Sequence, residues 1–444
     1  MLGGIVHDVR LGLFRPASSD NRPVGEKAHG SAPLSSHVWG AGFPGKPWRF
    51  HRRSKPCISA AMTLLENTES LAAFCQDTKG EPYIAVDTEF IRDKTYYSQL
   101  CLVQIATENQ AVAIDTLAPG MNLSPLYALM ADTGMLKVFH AARQDVEIFF
   151  HLSGRIPAPL FDTQVAAMVC GFGDSVGFEP IVAKLVGAHI DKSQRFTDWS
   201  RRPLRRKQID YALADVIHLR PVYEKIAARL HESKREGWLE EEMAVITDPG
   251  SYEVDLRESW RRLKFRNAKP RFLAILQELA AWREEEARSR NVPRNHVLRD
   301  DVLVELASLA PQTEQELDHG RGFPRKQAGT SLGRAVLAAV ARGKARNPED
   351  CPQPPVKLHL SPGLKPVVEL LKVLLKTKSE VHGVAQKLIA NSADLEMIAA
   401  DEQADVPALH GWRRELFGDD ALALKRGELA LTAVKNQVKL VRPS

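Results

Sequence analysis

The sequence predicts a mixed α/β domain followed by two small helical modules, and three patterns along its 444 residues predict it. From Tyr83 to His231, short apolar runs alternate with stretches of helical period, which implies a mixed sheet with helices packed on its faces. Beyond about residue 235 the strand pattern stops and helical period alone remains. Pro and Gly clusters at Asn347–Pro355 then divide the helical part into two modules of about ninety residues each. The boundaries are drawn at 62–235, 236–345 and 355–441, preceded by an extension over residues 1–61. At roughly 100–200 residues per domain, the length accommodates that organisation.

Each element has its own local reason. Met62–Gln76 reads as one amphipathic segment. Tyr83–Val86, Cys101–Ala106 and Ala111–Ile114 are apolar runs of strand length, joined by hairpin-like connections. Pro125–Ala131 reads as a short helix with Ser124 as its N-cap and Pro125 in the first turn. Leu136–Phe139 and Pro159–Phe161 follow as short buried strands, with Gln144–Leu152, Thr163–Val169 and Pro180–Val186 as helices. Lys207–His231 keeps apolar residues three and four apart and reads as one long helix. In the second part, Arg271–Arg290, Asp300–Leu309, Thr313–Leu317, Leu332–Arg342, Leu364–Lys376 and Val384–Ile389 all have helical period.

Residues 1–61 differ from the rest. They hold fourteen Gly or Pro, nine Arg or Lys and three acids, with no sustained period. Such a segment buries too little apolar surface to offset its ordering entropy. It is read as disordered or as a start-site artefact ahead of Met62, rather than as a transit peptide. Within it, Gly40–Lys46 matches the first seven positions of a phosphate-binding loop. Pro47 stands where a Ser or Thr would hold Mg²⁺, Pro44 and Pro47 remove N–H donors, and no apolar strand precedes it. The match is coincidental, and no nucleoside triphosphate partner is expected.

Composition narrows the class further. Hydrophobic residues at 44% and charged residues at 26% exclude fibrous and wholly disordered chains. No apolar run reaches the roughly 18–20 residues that span a bilayer, so no membrane partner is expected. Cys57, Cys75, Cys101, Cys170 and Cys351 are scattered and odd in number, which fits a reducing cytoplasm better than a disulfide framework or a cysteine zinc site. A net charge of +5 permits a nucleic-acid partner without requiring one.

The chemistry candidates are acidic. Asp87 and Glu89 stand at i and i+2 at the end of a strand, so both carboxylates lean to one side. Asp145 opens the helix after the buried strand that leads to His140, and Tyr211 and Asp215 stack four apart on the long helix. Four carboxylates meeting from strand and helix repel one another and imply a cation. Oxygen ligands alone favour Mg²⁺ or Mn²⁺ over zinc, and carboxylates bridging two such ions are a recurrent device for phosphodiester cleavage. A phenol in the place of Tyr211 is a poor base but a good director of water.

Taken together, Val86-Asp-Thr-Glu-Phe90, His140-Ala-Ala-Arg-Gln-Asp145 and Tyr211-Ala-Leu-Ala-Asp215 resemble the three exonuclease motifs of the DEDD superfamily, in its tyrosine subclass. Phe161–Gln164 and Asp191–Leu204 are similar specifically to bacterial ribonuclease D, and the resemblance covers about residues 62–440. It implies an RNase H-like fold and a 3′→5′ exoribonuclease that matures tRNA precursors and other small structured RNAs; a monomer is expected. By the same resemblance Asp87, Glu89, Asp145 and Asp215 hold two divalent metal ions, and Tyr211 orients the attacking water. The segments Ala281–Arg288 and Asn291–Asn295 resemble the HRDC domain, an auxiliary nucleic-acid-binding bundle, and the last module is more weakly similar to the same fold.

RNA contacts are expected from Asp191–Gln208, where seven Lys or Arg face two Asp, with Phe196 and Trp199 interleaved. Arg195, Trp199, Arg201 and Arg202 are the candidates there, joined by His140 and Gln144 of the second motif. A histidine beside a strand is, on general grounds, a satisfied structural group, and Asp162 is read as a helix cap outside the catalytic set. Two other readings remain open at this level: a 3′→5′ DNA exonuclease, and a non-catalytic RNA-binding protein built on the helical modules.

Overall fold

The computed structural model describes residues 61–266, 269–324, 326–354 and 361–443. The extension over 1–61, up to residue 60, together with the Gly40–Lys46 motif and Cys57, lies outside the described residues. A six-stranded mixed sheet organises the first part, in the order β1-β4-β3-β2-β5-β6. Its strands are β1 (Ala61–Leu65), β2 (Tyr83–Ile91), β3 (Gln99–Ala106), β4 (Gln110–Asp115), β5 (Leu136–Phe139) and β6 (Leu160–Asp162). β2, β3 and β4 form an antiparallel meander, β5 and β6 add in parallel beside β2, and β1 adds in parallel to β4.

The helices of this domain are α1 (Thr68–Asp77), α2 (Ser124–Met130), α3 (Arg143–Ser153), α4 (Thr163–Val169), α5 (Phe178–Val186) and α6 (Arg206–Ser233). The buried positions of α6, among them Ala212, Leu213, Val216, Leu219, Val222 and Ile226, recur at three- and four-residue spacing. That stripe packs α6 across β2, β3, β4 and β5.

Three details depart from the sequence reading. Met62–Gln76 is not one amphipathic segment: Met62–Leu65 is a strand whose backbone pairs with Ala111–Ile114, and the helix starts at Thr68 behind an Asn67 cap. A non-local parallel pairing overrides a local pattern that also suits a helix. Ser124 is the first residue of α2 rather than its cap, and the Asn122 side chain accepts its N–H at 3.0 Å and its hydroxyl at 2.7 Å. β2 runs five residues past Val86, so Asp87 and Glu89 stand within a strand and not at its end.

The second part begins with α7 (Glu236–Ile246). The first helical module holds α8 (Pro270–Ser289), α9 (Arg294–Val297), α10 (Asp300–Leu309), α11 (Glu314–Asp318) and α12 (Ser331–Ala345) around a core of Trp260, Leu273, Leu276, Leu303, Val336 and neighbouring apolar residues. The second holds α13 (Leu364–His382), α14 (Gln386–Ile389), α15 (Ser392–Ala400) and a helical run over 411–425 around Leu371, Leu374, Ile398, Phe417 and Ala421. It is not wholly helical, because β7 (Ala430–Val434) and β8 (Gln437–Val441) close it as an antiparallel hairpin. This module rests on the sheet domain through Arg235, whose guanidinium donates to Val169 O, His382 O and Gly383 O. Gly171, at φ +76°, lets Gly383 approach so closely that any Cβ there would clash with its backbone. Trp238 stacks on Trp412 with ring centroids 4.4 Å apart.

Candidate active site

Asp87 and Glu89 lie on one face of β2, and Asp215 reaches that face from α6. One carboxylate oxygen from each lies within 4.8 Å of the other two. Asp87 and Glu89 are half-buried while Asp215 is buried. Their environment does not suit three negative charges. Burial pushes the Asp87 carboxyl above its ordinary range, against a weaker pull from the Thr88 backbone. Burial and then the charges of Asp87, Asp215 and Asp145 push Glu89 higher still, while Arg195 opposes them. Asp215 is raised by burial and by Asp87, and is eased by Tyr211 and Arg195. A hard divalent cation restores full ionisation to such a set, and oxygen donors alone are what it takes.

The fourth acid sits to one side. Asp145 is buried in the first turn of α3, and its Oδ1 accepts a hydrogen bond from the Thr88 hydroxyl. Thr88 is the strand residue between Asp87 and Glu89, so its side chain points to the opposite face. Burial and the Asp87 charge push Asp145 well above the carboxylate range, which places it next to Asp87 electrostatically. The expectation that four carboxylates meet at one point is thus met by three, with Asp145 adjoining. Tyr211 turns its hydroxyl to Asp215; burial, Asp215 and the other acids drive its ionisation far up, so the phenol stays protonated.

The candidate RNA contacts divide. Arg195 is exposed, leans over the Phe196 ring at 5.3 Å, and faces Glu89 and Asp215 closely enough to lower both. Phe196 is 91% exposed. Gln144 is exposed in the first turn of α3, and Arg201 is exposed on a cleft of about 310 Å³ lined also by Thr197, Asp198 and Arg205. Trp199 offers no stacking surface: it is 2% exposed and packs 6.1 Å from the Tyr211 ring. Arg202 has no donor to spare. It grips Asp115 at 2.6 and 2.7 Å and donates to the carbonyls of Cys101, Trp199 and Arg201. His140 faces Thr163 at 2.9 Å through Nδ1 and packs on Phe178, while its buried Nε2 has no hydrogen-bond partner among the described residues. Asp162 caps α4 and also accepts the Ala141 and Ala142 N–H groups, so it is a structural acid.

Sequence reasoning missed three residues around the site. Thr88 was hidden between the two acids it separates, and Asp115 gave no sign that Arg202, 87 positions away, would seek it. Gln104 stands directly across the ladder from Asp87, fully buried, with neither amide atom hydrogen-bonded among the described residues. The signal for it, one polar residue inside the apolar run Leu100–Ala106, was present in the sequence.

Fold and site together define a 3′→5′ exonuclease with an appended helical bundle. A family model for 3′-5′ exonucleases matches residues 62–231, and a model for the HRDC domain matches residues 272–340. Ribonuclease D of Nitrobacter hamburgensis is 49% identical over 383 residues, covering 86% of this chain and 100% of its own. Ribonuclease D of Granulibacter bethesdensis is 48% identical over 382 residues, covering 85% of this chain and 96% of its own. The crystal structure of Escherichia coli RNase D, an exoribonuclease involved in structured RNA processing, superposes with a TM-score of 0.70 at 31% identity, over 82% of this chain and 98% of that one. The chain belongs to the ribonuclease D family, and it is a 3′→5′ exoribonuclease whose fold implies divalent metal use. No described helix is long and apolar enough to cross a membrane.

Proposed function

We propose that the enzyme trims the 3′ ends of tRNA precursors and other small structured RNAs, releasing nucleoside 5′-monophosphates, and that it does so as a cytoplasmic monomer. The observation that carries the chemistry is the group of Asp87, Glu89 and Asp215 oxygens within 4.8 Å of one another, with Tyr211 turned to Asp215. These three acids, with Asp145 beside them, would hold two divalent cations, Mg²⁺ or Mn²⁺. Bound there, the cations supply positive charge at the scissile phosphate and acidify the attacking water.

The rest falls to the chain's own side chains. The protonated Tyr211 hydroxyl aims the water for in-line attack, positioned from α6 by the buried stripe that also places Asp215. Thr88 fixes the rotamer of Asp145 through its hydroxyl. Arg195 faces the acids and lies over Phe196, so a terminal phosphate meets the guanidinium while its base meets an exposed ring. Arg201 and Gln144, both exposed, are further candidate contacts. Among the described residues Cys75, Cys101, Cys170 and Cys351 are buried and free, which suits a reducing compartment.

The test is digestion of a 5′-labelled transcript with a tRNA-like 3′ extension, beside a matched DNA oligonucleotide and an RNA ending in a 3′-phosphate. Stepwise shortening of the RNA from its 3′ end, dependent on Mg²⁺ or Mn²⁺ and abolished by EDTA, is the expected result. Equal binding in EDTA without any shortening under metal would overturn the catalytic reading, and preferential loss of the DNA would overturn the substrate.

A further inference from the structure

The connection between β2 and β3, residues 92–98, leaves the strand that carries Asp87 and Glu89 and reaches the first helical module. There Tyr96 is buried against Ala287 and Val297. Its hydroxyl donates to Glu284 and accepts from Arg294 Nη2 at 3.3 Å, and the Arg294 guanidinium lies 4.7 Å over its ring. Asn291, held at φ +47°, accepts the backbone N–H of both Tyr96 (3.1 Å) and Tyr97 (3.2 Å) through one oxygen. Glu284 is itself 1% exposed on its side chain, takes Arg294 in a two-point contact at 2.6 Å, and takes Arg262 at 2.9 Å.

The same connection leans on α3. The Tyr97 ring lies 4.5 Å from His151, Arg92 pairs with Glu147 at 3.4 Å, and Arg288 donates to the Tyr97 hydroxyl at 3.0 Å. It therefore touches the helix that carries Asp145 as well as the strand that carries Glu89. The β2–β3 ladder changes register between Glu89 and Phe90. The extra residue is Cys101 of β3, so the ladder is locally broken beside Glu89 and pins that residue less firmly, and its direction depends on where the chain beyond it is tied.

We propose that the first helical module latches this connection, with Tyr96 and Glu284 as positioning residues that set the aim of Glu89. The module then acts on the chemistry itself, in addition to any hold it has on RNA. The proposal rests on Glu89 being one of the metal-holding acids. It assigns work to a contact more than 180 residues apart in sequence, as the 188-residue separation of Tyr96 and Glu284 shows.

Full-length Glu284→Gln and Tyr96→Phe variants test it with three readouts: amide exchange of residues 92–98, Mn²⁺ affinity, and kcat and KM on an RNA dinucleotide, which offers the helical modules little to hold. Faster exchange, Mn²⁺ affinity weaker by about tenfold and a similar fall in kcat with KM within about twofold are expected, the scale of losing an outer-shell support. Wild-type Mn²⁺ affinity and kcat despite faster exchange would overturn the latch, and so would unchanged exchange in both variants. If the wild-type chain bound Mn²⁺ yet cleaved no RNA, the catalytic reading would fail alone, and the variants' Mn²⁺ affinity would still decide the latch.

Discussion

Two carboxylate sites in this molecule, one buried and one partly so, solve the same problem in opposite ways. Glu284, in the first helical module, is surrounded by Arg294, Arg262 and the Tyr96 hydroxyl. Burial alone would raise its pKa, but hydrogen bonds from Arg294 and Tyr96 and the nearby positive charges outweigh it and hold Glu284 at about 2. Asp87, Glu89 and Asp215 are all pushed up, by burial first and, for Glu89 and Asp215, by neighbouring acids that Arg195 only partly offsets. A structural carboxylate is neutralised by the chain itself. The group proposed to hold metal is neutralised by the chain only in part, and on that proposal the remainder is its affinity for a cation.

The contrast can be broken most forcefully at the acids. Asp87→Asn or Asp215→Asn should cut RNA hydrolysis on the order of 10³-fold, the several kcal/mol of charge stabilisation at stake, with RNA binding in gel-shift assays largely kept. Without metal, either change should raise the melting temperature, because it removes repulsion; a fall in melting temperature would mean the acids are structural after all. Tyr211→Phe should slow turnover by about ten- to a hundredfold, since the acids remain and the aim of the water is what is lost. Single-turnover rates separate that effect from product release.

Smaller effects sharpen the comparison. Phe196→Ala should weaken binding of single-stranded RNA by about 1–2 kcal/mol, read as a KM increase with kcat nearly kept. For Glu284 the sign runs the other way from Asp87, Glu89 and Asp215. Its folded pKa lies below the unfolded value of 4.5, so its stabilisation is complete above about pH 4.5 and is lost as pH falls towards about 2. Acid melting curves of wild type and Glu284→Gln should therefore converge over that window and diverge above it.

What the sequence made legible follows from how local each feature is. Asp87 and Glu89 on a strand, and Tyr211 with Asp215 on a helix, are set by the two backbone periods and so could be placed in advance. The long α6 and the buried β5 were legible for the same reason. Trp199 and Arg202 misled because their partners, Tyr211 and Asp115, are brought to them by the fold and not by spacing. β1 is hidden in the amphipathic segment Met62–Gln76 because its parallel partner β4 lies some fifty residues on, as the Ala61–Gln110 pairing shows. The β7–β8 hairpin turns on Lys435 and Asn436, both at positive φ, and only Asn436 hints at such a turn. Thr88 was invisible, since a threonine between two acids carries no pattern.

The brace between Arg202 and Asp115 has a consequence for ionic strength. Among the seven basic side chains between Asp191 and Gln208, Arg202 is committed to Asp115, Lys192 pairs with Glu179 and Arg206 pairs with Asp210. That leaves at most four of them to displace condensed counterions from a bound strand. A plot of log affinity against log salt should then carry a contribution from this segment no steeper than about −3, at roughly −0.7 for each phosphate of a single strand. The charge written into a loop is larger than the charge it has free to give.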